Sequence, residues 1–112
     1  MSNFVIEEFT FYKITLHNNI SEENSEATIM IKLDDGAAYM HFMRGELPEN
    51  HVIPKGNFRD YHTYINLDKY YNYVDIMRYE KPLFFYYDLD THRSYVTSSD
   101  EPVGEEEHEA ED

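Results

Sequence analysis

Pro82 divides the most aromatic part of the chain, DKYYNYVDIMRYEKPLFFYYD (Asp68 to Asp88), into two halves with different periods. Before it, Leu67, Tyr70, Tyr71, Val74 and Met77 recur at the spacings of one helix face, with Asp68, Asn72, Asp75 and Tyr79 opposite. Asn66 suits the N-cap, and Asp68 suits the positive end of the helix dipole. After it, Leu83, Phe85 and Tyr87 alternate with Phe84, Tyr86 and Asp88, which is the period of a strand. A proline pushes the residue before it out of the α region. The pattern therefore predicts a helix over about 67–80 and a strand directly behind it. Both sides of that strand are bulky, as in a central strand covered on both faces.

The rest of the chain reads as strands. Tyr12, Ile14 and Leu16 alternate with Lys13, Thr15 and His17, a half-buried strand, with Asn18 and Asn19 as the turn after it. ATIMIKLDDGAAYMHFMR is a hairpin. Ile29, Ile31 and Leu33 share a face, and Asp34-Asp35-Gly36 supplies the turn, because glycine takes positive φ without a Cβ clash. GELPENHVIPKGNFRD, with two prolines and two glycines, is expected to be a surface excursion over about 45–60 without a regular element. YHTYIN alternates again, and Arg93 to Ser99 is the last strand after a turn at Leu89 to His92.

With one helical segment and no βαβ alternation, the expected class is α+β. It would be a mainly antiparallel sheet of five to six strands with the helix packed on one face. Residues 1–99 form one domain, and residues 100–112 are an acidic flexible tail. The formal net charge is −14, and eight of the 23 carboxylates lie at or after Asp100. The preceding residues hold the other fifteen and all nine Lys and Arg, so the folded part is only moderately acidic.

An acidic surface repels phosphate, which disfavours direct binding to nucleic acid and to anionic membranes. It leaves basic protein surfaces as the expected partner. Cysteine is absent, the N-terminal MSNFVIEEFTF lacks the basic segment of a secretory signal, and no apolar run reaches the roughly 18 residues of a membrane span. A cytoplasmic protein without a cofactor is expected.

Two groups of residues are candidates for chemistry. Asp88, Asp90 and His92 would share a face of an extended chain and offer two carboxylates and an imidazole to a divalent cation. Against this, Asp is a common turn residue, and a turn would make the three side chains diverge. Tyrosine supplies interface area at low entropic cost. Tyr70, Tyr71 and Tyr87 are assigned to the core by period. Tyr64, Tyr73 and Tyr79 are left for an exposed partner-binding patch, joined by Asp100, Glu101, Glu105, Glu106 and Glu107 of the tail. The six histidines are scattered and show no HExxH spacing, no serine sits in a nucleophile elbow, and there is no glycine-rich phosphate loop.

The leading expectation is a small non-enzymatic binding protein, an inhibitor, immunity-type protein or adaptor. Two alternatives stand beside it. One is a nucleic-acid mimic that blocks a DNA- or RNA-binding protein. The other is a small metal-dependent enzyme or ligand carrier with a pocket between helix and sheet.

Overall fold

A computed structural model describes residues 3–18 and 25–98. The strands are β1 (Phe4–Phe9), β2 (Tyr12–Leu16), β3 (Ser25–Leu33), β4 (Gly36–Met43), β5 (His51–Lys55), β6 (Phe58–Asn66), β7 (Leu83–Asp88) and β8 (Ser94–Ser98). The helix, α1 (Tyr70–Tyr79), follows a single 3-10 turn at Leu67–Lys69. The class is α+β, as the periods require, but the strands divide between two sheets. One has the order β1-β7-β8, the other β2-β3-β4-β6-β5. All pairings are antiparallel except β4 with β6, which is parallel.

The two sheets face each other across one core. Ile29, Ile31, Ala38, Met40, Phe42 and Tyr61 from the larger sheet join Phe9, Leu83, Phe85 and Tyr87 from the smaller. Tyr61 touches both Phe85 and Tyr87, with ring centroids 5.5 and 5.3 Å apart. The helix closes the same core beside the smaller sheet. Met77 is buried, and Phe42 meets Tyr70 and Tyr73 edge-on at 5.2 and 5.5 Å. Phe9, Phe85 and Tyr87 are each almost wholly removed from water, so each contributes on the order of 2 kcal/mol through burial.

Several local expectations change. The 45–60 excursion contains β5 and the start of β6, a hairpin with Gly56 at positive φ in its turn. Pro54 fits there because β5 is an edge strand, where a missing N–H breaks no second ladder. Ahead of the expected strand at Tyr12–Leu16, Phe4–Phe9 form another. The chain leaves the smaller sheet at Phe9 and enters the larger one at Tyr12, tying the sheets together covalently. β2 is an edge strand, exposed along its length rather than half-buried.

The helix also sits at a different rotation. Tyr71, assigned to the core, is 76% exposed, while Tyr73, left for the surface, packs against the core. Asn66 does cap the 3-10 turn, its Oδ1 accepting from the Asp68 N–H at 3.1 Å. β7 is a central strand, as its two bulky faces imply. Leu83, Phe85 and Tyr87 are buried, and Phe84, Tyr86 and Asp88 are half-buried on the far side.

Candidate functional site

The strand register sends every second residue of the smaller sheet away from the core. Ile6 pairs with Tyr86, and Tyr86 with Tyr95; Glu8 pairs with Phe84, and Phe4 with Asp88. Phe4 stacks on Tyr86 at 5.3 Å, and Tyr86 on Tyr95 at 4.4 Å. The result is a row of rings across all three strands. Phe4 and Tyr95 are each 47% exposed, and Ile6 beside them is 54% exposed. Water therefore reaches a large apolar stripe that no side chain of the core needs. Partial burial, and then the Asp88 carboxylate, push the Tyr86 phenol above its ordinary range. Glu8 and Asp88 border the stripe and give it an acidic rim.

The larger sheet has a different outer face. Its inner face belongs to the single core, and on its outer face His41 is itself buried. His17, just past β2, places Nε2 at 3.0 Å from the Thr28 hydroxyl of β3. That hydroxyl lies 3.3 Å from Nδ1 of His41 on β4. Nε2 of His41 lies 3.0 Å from Nδ1 of His62 on β6. The His41 and His62 ring planes agree within 2° and their centroids are 5.3 Å apart. Rings stacked face to face could not bring two nitrogens to 3.0 Å, so these rings meet edge to edge, one N–H donating to the other ring's lone pair.

His51 of β5 then stacks on His62 at 5.1 Å. Tyr39 and Tyr64 flank the row, at 5.0 Å from His62 and 5.1 Å from His41. Four histidines remote in sequence thus form one line across the five strands. Chemically, the His41–His62 contact holds a single proton between two nitrogens.

The three tyrosines expected in the patch, Tyr64, Tyr73 and Tyr79, lie in different surroundings. Tyr64 lies half-buried in the histidine face. Tyr73 belongs to the core, and burial raises its phenol pKa. Tyr79 is 74% exposed on the helix. Asp100, Glu101, Glu105, Glu106 and Glu107 lie outside the described residues.

Asp88, Asp90 and His92 do not converge on a metal, and no group of three such ligands exists among the described residues. The turn uses each of them. Asp88 Oδ1 accepts from the backbone N–H groups of Asp90 and Thr91 at 2.8 and 3.1 Å, which holds its carboxyl below the usual range. Asp90 accepts from the Asn3 N–H, and His92 Nδ1 meets the Tyr87 hydroxyl at 2.8 Å.

Sequence reasoning missed Phe4, Ile6, Tyr86 and Tyr95 as a set, and the histidine row altogether. FVIEEF does alternate, so an outward Phe4 and Ile6 were legible in it. The partners across the strands were not, because register is not written in any one strand. No helix among the described residues is long and apolar enough to cross a membrane. Compared with known proteins, the chain matches no family model, and it shows no significant similarity to any curated protein or solved structure.

Proposed function

We propose that the chain is a small, non-catalytic binding protein of the cytoplasm, of inhibitor, immunity or adaptor type. It docks on a protein partner through the outer face of β1, β7 and β8. The observation that carries this is the stacked row Phe4–Tyr86–Tyr95 with Ile6 beside it, apolar and open to water. Contiguous apolar rings on a surface mark interaction sites, and tyrosines are favoured there. The acidic rim and the net charge of −14 select a partner with a basic surface.

The nucleic-acid mimic ranks lower. It needs carboxylates held in a row on a folded face, and eight of the 23 lie at or beyond Asp100.

The test uses the full chain as bait and three variants. Tyr86→Ser with Tyr95→Ser removes the row, Tyr79→Ser is an exposed control, and deletion of 100–112 removes the tail. A basic protein retained by the wild type, the control and the deletion, but lost from the double variant, supports the reading. Equal retention by the double variant overturns it.

A further inference from the structure

At the opposite end of the core from the β7–β8 turn, the chain leaves a cleft. The C-terminal turn of α1, the Lys81-Pro82 connection, and the passage from β1 to β2 enclose about 470 Å³. This is within the size range of small-ligand sites, which runs from about 300 to 1,000 Å³. Phe9, Met77 and Leu83 line it, and each is no more than 5% exposed, so its inner surface is made of core side chains. Met77 adds an unbranched thioether that adapts to the shape of an apolar guest.

The charge at this cleft runs against that of the molecule. Arg78 and Lys81 line it, opposed by the single carboxylate of Glu8. The ion pairs of the described residues, Arg44 with Glu26 and Lys55 with Asp60, involve neither cation. In a chain with nine bases and 23 acids, two of those bases line one largely apolar cavity.

We propose that this cleft binds an amphiphilic carboxylate, a medium-chain fatty acid in type. The apolar chain enters against Phe9, Met77 and Leu83, and the carboxylate rests between Arg78 and Lys81. An arginine fork accepts a carboxylate in two parallel hydrogen bonds, and the lysine adds a point charge. A neutral alcohol of equal length would gain the apolar contacts alone. A short carboxylate would gain the ion contacts alone, which are weak in water. The cleft shares Glu8 with the rim of the aromatic row but none of the stacked rings, so its failure would leave the protein-docking reading intact.

The experiment is calorimetric titration of the full chain with decanoate, kept below its micelle-forming concentration, and in parallel with decanol and acetate. The expected result is saturable binding of decanoate with one site, about tenfold tighter than decanol, and no measurable binding of acetate. Arg78→Ala combined with Lys81→Ala should weaken decanoate by about tenfold and leave decanol unchanged. Both side chains are exposed, so this variant should keep the wild-type melting temperature. Should it fail to fold, Glu8→Gln serves instead, and removing that like charge should tighten decanoate. Absence of saturable binding overturns the proposal. So does decanol bound as tightly as decanoate, or decanoate binding that ignores both the cation pair and Glu8.

Discussion

Gly36 has a φ of +147°, and a Cβ built there would lie 1.8 Å from the backbone oxygen of Arg59. The turn explains the first number and the neighbouring strand the second. β4 and β6 begin their parallel ladder at this point, with Gly36 opposite Arg59 and the Arg59 N–H donating to Asp35 O at 2.8 Å. Gly36→Ala therefore combines a backbone conformation reserved for glycine with a clash against main chain. It should cost at least about 3 kcal/mol in a urea unfolding curve, against the smaller loss expected of a turn glycine alone.

Tyr87 gives the residue scale a pH signature. Burial, with Tyr61 as a lesser cause, pushes its phenol up to about 12. The sign follows directly. Above the ordinary value of 10 the unfolded chain loses this proton while the folded chain keeps it. The stabilisation is whole below pH 10 and is lost as pH rises through about 12. Tyr87→Phe should flatten that alkaline limb of the stability curve, and an unchanged limb would assign it to other groups.

At the scale of elements, the helix shows how far a pattern reaches. Leu67, Tyr70, Val74 and Met77 define a stripe, and at about 100° per residue Tyr71 and Tyr73 lie equally far from its centre, about 80° on either side. Periodicity cannot choose between them. Phe42, from β4, chooses Tyr73 by meeting its ring edge-on. Tyr73→Ser should then cost about 2–3 kcal/mol, and Tyr71→Ser less than about 0.5 kcal/mol, in parallel thermal melts. Equal costs would place the helix at a different rotation.

The strands repeat the lesson. The Asp34-Asp35-Gly36 hairpin and the strand after Pro82 were legible because each is written in neighbouring residues. β5 was hidden by Pro54 and two nearby glycines, which read as loop unless one knows that the strand is an edge. Asp88, Asp90 and His92 carried two readings, cation ligands or a turn. Their spacing suggested ligands, but a turn that needs acceptors for the Asp90 and Thr91 N–H groups separates them.

For the molecule as a whole, the proposed docking would divide the work between charge and shape. The net charge of −14 would act at a distance and set how fast a basic partner arrives, while Phe4, Ile6, Tyr86 and Tyr95 would act in contact and set how slowly it leaves. Once the partner is in hand, stopped-flow association should slow steeply as salt shortens the Debye length from about 10 Å at 0.1 M to about 3 Å at 1 M. Dissociation should stay near constant. Deleting 100–112, with eight carboxylates, should weaken the salt dependence and leave dissociation to the aromatic row. An association rate indifferent to salt would remove steering from the account.

The sequence by itself determined the α+β class, the one helix, the hairpin turn and the excess of acid, since each depends on side chains a few residues apart or on a sum over the chain. Tertiary structure alone decided that the strands form two sheets. It decided that Tyr73 and not Tyr71 turns inward, that Phe4, Tyr86 and Tyr95 stack in the open, and that His17, His41, His51 and His62 fall in one line. Those outcomes rest on strand order and register, where a shift of a single residue exchanges the two faces of a strand, and no local pattern carries that information.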